Sequence, residues 1–166
     1  MYLKPDFENM LPELKAIPHW VLAKEVIRDG KATKPPFQPN GRPASATDPT
    51  TWSSFSTIKQ AYERGGYIGV GFVLDGKPHF GGRYLHGFDW DHCIENSAID
   101  PVVNAEIKKL SISRKEVSIS GTGFRGFFLH NELLKSRKTH IGGRSVELYS
   151  RERYMTTTGV GRGTLV

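Results

Sequence analysis

Along this chain short apolar runs alternate with turn formers far more often than apolar residues recur at helical spacing, so the pattern predicts more strands than helices. "HWVLAKEVI" (19–27) reads as a strand that ends at the turn "RDGK", and "YIGVGFVLD" (67–75) as a buried strand between turn formers. "LHGFDWDHCI" (85–94) is a further strand running inward, "EVSISGTGFRGFFLHN" (116–131) a strand pair about a glycine turn, and "SVELYS" (145–150) and "RYMTTTG" (153–159) two last strands. Helical spacing is confined to residues 7–16, with Leu11 and Leu14 on one face, to 50–66, with Trp52, Phe55, Ile58 and Tyr62, and to roughly 98–110. Between the first strand and the second helix, "ATKPPFQPNGRPASATDPTTWSSF" holds five prolines and must run as an extended, turn-rich connection. "ELLKSRKTHIGGR" (132–144) reads as a basic connector. The order of elements predicts an α+β fold, a mixed and largely antiparallel sheet with flanking helices, in one domain spanning 1–166.

Composition adds bounds rather than a function. A chain of 166 residues with 37% hydrophobic positions can close one core. The 23 Lys and Arg against 17 Asp and Glu give a net charge of +6, which suits a polyanionic partner without requiring one. The single cysteine, Cys93, excludes an internal disulfide and points to a reducing compartment. No stretch approaches the ~20 apolar residues of a membrane span, so a soluble, cytoplasmic protein is expected.

The aspartate strand raises the chemical question. At a side-chain period of two, Asp89 and Asp91 share a face with Leu85 and Gly87, while Phe88 and Trp90 face the other way. Two close carboxylates repel unless a cation lies between them or one stays protonated. Hard divalent ions such as Mg²⁺ or Mn²⁺ suit such ligands, and solvated acids at a strand end fit equally well at this point. Glu147 alternates with Val146 and Leu148 and leaves its strand on the face they avoid. In "SISGTGFRGFF", Ser118 and Ser120 alternate with apolar neighbours, the Gly121-Thr122-Gly123 corner exposes backbone N–H groups, and Arg125 follows. Amides, hydroxyls and a fixed cation are what a phosphate requires; a plain hairpin turn uses the same glycines. The connector supplies Lys135, Arg137, Lys138, His140 and Arg144, and Arg114 with Lys115 precedes the turn, cations suited to a nucleic-acid backbone. His92 and Cys93 lack two further ligands for a zinc site, and the glycines of "GGYIGVGF" lie before and within a strand, unlike a dinucleotide fingerprint.

The ordered set Asp-x-Asp, Ser-x-Ser-Gly-x-Gly and an acidic strand leading into "RYMTTTG" resembles the archaeo-eukaryotic primase superfamily, in particular the primase-polymerase domains of phage and plasmid replication proteins. "HWVLAKE", "TKPPFQPNGRPASATDPTTW" and "GVGFVLD" are similar to the opening of those phage-type domains, so the resemblance runs from about His19 to Gly159. It implies a primase-like catalytic core at roughly 67–166 behind a small N-terminal α/β lobe at roughly 1–66. It further implies nucleotidyl transfer from nucleoside triphosphates to a 3′-hydroxyl on a single-stranded or primed DNA template. Asp89, Asp91 and Glu147 would then be the catalytic and metal-binding carboxylates for two Mg²⁺ or Mn²⁺ ions. Ser118, Ser120, Gly121, Gly123, Arg125, Arg153 and Lys34 would contact the nucleotide, and Arg137, Lys138, His140 and Arg144 the DNA. The family's second motif places a histidine where Arg125 stands; arginine keeps the charge but cannot exchange a proton near neutrality. Two rivals stay open: a metal-dependent nuclease using the same acids, and a nucleotide- or DNA-binding module that does not synthesise. In phage and plasmid relatives a helicase part commonly follows, so a fragment of a larger replication protein, acting in a bacterial or phage-infected cell, is expected.

Overall fold

A computed structural model describes residues 1–96, 98–109, 114–163 and 165. The strands up to the middle of the chain are Trp20–Ala23 (β1), Val26–Arg28 (β2), Lys31–Thr33 (β3), Pro36–Phe37 (β4), Gly69–Asp75 (β5), Pro78–Phe80 (β6), Arg83–Trp90 (β7), Ile94–Glu95 (β8) and Ala98–Ile99 (β9). Arg114–Val117 (β10), Phe124–His130 (β11), Arg137–Ile141 (β12), Arg144–Tyr149 (β13), Arg151–Thr157 (β14) and Gly161–Arg162 (β15) follow. The α-helices are Pro12–Lys15 (α1), Phe55–Glu63 (α2) and Pro101–Lys109 (α3).

All strand pairings among the described residues are antiparallel. One sheet of four strands runs β14-β5-β1-β4, drawing β1 and β4 from the first part of the chain and β5 and β14 from the rest. A second sheet of seven strands runs β12-β13-β7-β11-β10-β15, with β6 paired to β7. The chain passes from one sheet to the other along β5, β6 and β7. β5 lies inside the first sheet and its apolar residues are buried on both faces. Trp20, Leu22, Ile58, Phe72, Phe127 and Met155 form the main core. Trp20 is fully buried, and its indole N–H donates to the Leu14 carbonyl at 2.9 Å, so no polar group is stranded there. A smaller core of Trp90, Cys93, Val103 and Ile107 lies under α3.

Several elements differ from the pattern-based expectation for identifiable reasons. The 19–27 strand is broken after Ala23, and β2 turns back on β3 through Asp29 and Gly30, whose φ values of 50° and 73° are those of a two-residue hairpin. The second helix starts at Phe55, because Ser53 exchanges backbone hydrogen bonds with Trp20 and Ser54 then caps the helix by accepting from the Thr57 N–H at 3.2 Å. Trp52 therefore lies outside it. The third helix begins at Pro101 behind Asp100, whose carboxylate accepts from the Val102 N–H at 2.9 Å; residue 110, where the expected helix ended, lies outside the described residues. The basic connector is not a loop: Arg137–Ile141 is an edge strand paired with Arg144–Leu148. No helix among the described residues is long and apolar enough to cross a membrane.

Candidate functional site

A row of charged side chains crosses four adjacent strands of the larger sheet. β7 lies between β11 and β13, which puts Asp89 directly opposite both Arg125 and Glu147, and on β13's other side Lys138 stands opposite Glu147. The row therefore reads Arg125, Asp89, Glu147, Lys138. Arg125 grips Asp89 with both arms, Nε to Oδ1 at 2.9 Å and Nη2 to Oδ2 at 2.8 Å. Lys138 Nζ lies 2.6 Å from Glu147 Oε1. Burial pushes the Asp89 carboxyl above its ordinary range; the Arg125 guanidinium pulls it back, and the charges of Asp91 and Glu147 push it up again.

Asp91 stands one residue beyond the end of β7, in a turn, with its N–H donating to the Ser145 carbonyl at 3.2 Å. It is therefore not a true strand neighbour of Asp89 on one pleated face, although its charge reaches Asp89. Asp89, Asp91 and Glu147 make one negative locus of oxygen donors whose two sheet members are each already matched to a cation. His92 follows in a left-handed turn with φ 49°, and Cys93 is buried with its thiol donating to the Trp90 carbonyl at 3.3 Å.

Beside the row lies a cavity of about 640 Å³ lined by Arg28, Lys34, Arg125, Arg153, Tyr154 and Thr156 together with loop residues and Glu152. The structure thus brings Lys34, Arg125 and Arg153 together from three distant parts of the chain. It adds Arg28, which the sequence did not single out because an arginine at a hairpin end is ordinarily solvated. Arg28, Lys34 and Arg153 against Glu152, with Arg125 at the wall already paired to Asp89, leave the cavity net positive and suited to a polyphosphate. Two contacts fix its wall: Tyr154 donates its hydroxyl to the Lys34 carbonyl, and Arg153 lies over the Tyr149 ring at 4.4 Å and donates to its hydroxyl at 2.9 Å. Burial pushes the Tyr154 hydroxyl up to about 12.

The Ser-Gly turn closes the β10–β11 hairpin and does not line that cavity. Ser118 is buried, and its hydroxyl accepts from the Gly123 N–H at 3.0 Å; the hydroxyls of Ser118, Ser120 and Thr122 are linked in a chain with 3.0 Å steps. Gly121 takes φ 79°, and a Cβ on Gly123 would come within 2.5 Å of the Trp90 carbonyl. The glycines therefore serve a tight turn packed against the end of the aspartate strand.

Of the basic residues, Arg137, Lys138 and His140 are exposed on the β12 edge. Arg144 is committed to acids, donating to Glu95 at 2.9 Å and lying 3.6 Å from Asp100. Arg114 does not face solvent at all. It is buried in an ion pair with Glu116 at 3.0 Å and donates to the Asn9 carbonyl at 2.6 Å, so it is a structural cation rather than a nucleic-acid contact.

One group of three ligating residues within 4.8 Å of one another occurs among the described residues, and it is His19, Asp75 and His79 rather than the acidic row. Asp75 and His79 flank the turn between β5 and β6, four residues apart, while His19 enters from the start of β1. The Asp-x-x-x-His spacing was visible in the sequence, but nothing local points to the distant histidine.

No protein-family model matches the chain. The chain is 32% identical over 156 residues to the DNA primase-polymerase of Nitratiruptor phage NrS-1, a match that takes in 90% of this chain and 20% of the relative. It therefore spans about a fifth of the length of the curated relative to which it is similar.

Proposed function

We propose that this chain is the nucleotidyl-transfer domain of a phage-type DNA primase-polymerase, using Mg²⁺ or Mn²⁺ and nucleoside triphosphates on a single-stranded or primed DNA template. The observation that carries the reading is the row Arg125, Asp89, Glu147, Lys138 opening beside a cavity of net positive charge. The similarity to a DNA primase-polymerase along 90% of the chain supports it.

The donor set fits the metal. Asp89, Asp91 and Glu147 offer only oxygen, Glu147 stands opposite Asp89, and the three would hold the ions on closing to ligand distance, which they do not have among themselves in the structure. When bound, the ions would lower the charge barrier between the attacking 3′-hydroxyl and the leaving pyrophosphate. The chain's own residues do the rest. Arg28, Lys34 and Arg153 bind the triphosphate, and Arg125 contributes the charge and planar geometry of its guanidinium. Occupation requires an exchange of partners: Arg125 and Lys138 leave the carboxylates and turn to phosphates. The β12 edge, with Arg137, Lys138 and His140 exposed beside the acids, is the surface offered to a template backbone.

A second reading has its own observation. Arg125 occupies both oxygens of Asp89, as it would in a nucleotide-binding module that does not synthesise. One experiment separates the two: incubation with single-stranded template, nucleotides and Mn²⁺, with triphosphate binding measured in parallel. New strands from the native chain and none from Glu147→Ala or from the Asp89→Ala, Asp91→Ala double variant are expected. Equal product from the double variant removes the metal assignment. Triphosphate binding without product selects the second reading.

A further inference from the structure

We infer that His19, Asp75 and His79 form a site for one divalent ion of the zinc class, distinct in chemistry from the acidic row, that staples the two sheets together. The three ligand atoms lie within 4.8 Å of one another. His79 Nε2 is 2.8 Å and His19 Nε2 3.8 Å from the same oxygen, Asp75 Oδ2.

The hydrogen bonds around the triad orient it. His19 Nδ1 lies 3.2 Å from the Val73 carbonyl, which can only accept, so Nδ1 donates there, and in the neutral ring, which burial favours, Nε2 keeps its lone pair. In that state the lone pair faces Asp75 Oδ2, another acceptor, which His79 Nε2 also approaches at 2.8 Å. A cation resolves such a meeting of two acceptors, and a carbonyl behind a ligating imidazole is the usual way its ring is fixed. Asp75 is held from behind as well, with Oδ1 accepting from the Lys77 N–H at 3.0 Å, which leaves Oδ2 for the rings.

Size and ligand type narrow the occupant. The space enclosed by His19, Asp75 and His79 with Phe72, Leu74 and Leu85 is about 10 Å³, room for one ion and far too small for a nucleotide. Two imidazoles and one carboxylate favour Zn²⁺, Co²⁺ or Ni²⁺ over Mg²⁺, which prefers oxygen alone. The His19 and Asp75 side chains are 11% and 12% exposed and that of His79 is 32%, so a fourth position opens to solvent on the His79 side. Lys77, though exposed, also lines this space and its charge acts on His19, so it opposes an ion here and Asp75 is the group that offsets it.

The placement gives the ion its role. His19 leads into β1 and Asp75 ends β5, both in the four-stranded sheet, whereas His79 belongs to β6, paired with β7 in the larger sheet. An ion here fastens the connection that feeds the aspartate strand.

The test is titration of the chelator-treated protein with Co²⁺, followed by visible absorption, and then with Zn²⁺ and Mg²⁺ as competitors. One equivalent of bound Co²⁺ is expected, displaced by Zn²⁺ and not by excess Mg²⁺, with affinity falling at least about tenfold in His79→Ala or His79→Gln. Glu147→Ala should bind as tightly as the native chain. Zn²⁺ should also raise the melting temperature of the native protein and not of the His79 variants. Absence of saturable Co²⁺ uptake overturns the inference. Equal uptake by the His79 variants, or loss of uptake in Glu147→Ala, overturns it too, the latter by moving the ion to the acidic row.

Discussion

Asp89 and Arg125 stand directly opposite one another on paired antiparallel strands, joined by two charge-assisted hydrogen bonds of 2.9 and 2.8 Å. Their side chains are only 10% and 20% exposed, so each is the other's main source of charge compensation. Arg125→Ala should therefore lose about 2–4 kcal/mol of stability in urea unfolding at neutral pH, and Arg125→Lys less. The double variant Asp89→Asn, Arg125→Gln should recover part of that loss, since neither charge is then stranded.

The buried pair Arg114–Glu116 should be less forgiving. Glu116 Oε1 accepts from Arg114, and Oε2 from the Thr157 hydroxyl at 2.5 Å and the Thr158 and Gly159 N–H groups at 3.0 and 3.2 Å. Glu116→Ala strands an arginine and two backbone donors at once, with an expected cost of about 3–5 kcal/mol by urea unfolding.

Gly126 lies where β11 passes the Arg114 carbonyl and the Phe88 ring, and a Cβ there would collide with both. Gly126→Ala should cost about 2–3 kcal/mol by the same measurement. Gly87→Ala should cost less, because the obstacle there is the flexible end of Met155.

Tyr154 gives a signature in alkali. Its hydroxyl is pushed up to about 12 by burial, above the ordinary value near 10, so between those pH values the unfolded chain has lost this proton and the folded chain has kept it. Stability from this group is complete below pH about 10 and is lost as pH rises towards 12, about 2–3 kcal/mol over the interval. Tyr154→Phe lacks this loss, so the stability difference between native and variant should move in the variant's favour by about 1 kcal/mol between pH 8 and pH 11.

The local pattern disclosed the faces and not the partners. Alternation in "SVELYS" puts Glu147 opposite to Val146 and Leu148, and in the sheet those two pair with Trp90 and Phe88 while Glu147 pairs with Asp89. Nothing along the chain sets the register between strands so far apart, so the grip of Arg125 on Asp89 could not be read. The β12 strand was missed because its residues are exposed on the sheet's edge and show no apolar alternation. Arg114 looked like a surface cation because its partners come from Glu116, Asn9 and Gly159, the last two distant in sequence. Lys34 and Arg153 were named from the resemblance alone, and only the fold puts them beside Arg125.

β7 lies between two strands that come later in the chain, so the order of charges across the sheet differs from their order along the sequence. Asp89 is synthesised first, and Arg125 follows 36 residues on. Glu147 comes last, on a hairpin whose contacts with β12 are local and close quickly. A β12–β13 hairpin formed before docking would bring Glu147 to Asp89 already carrying Lys138, and the two acids would then not meet as bare charges.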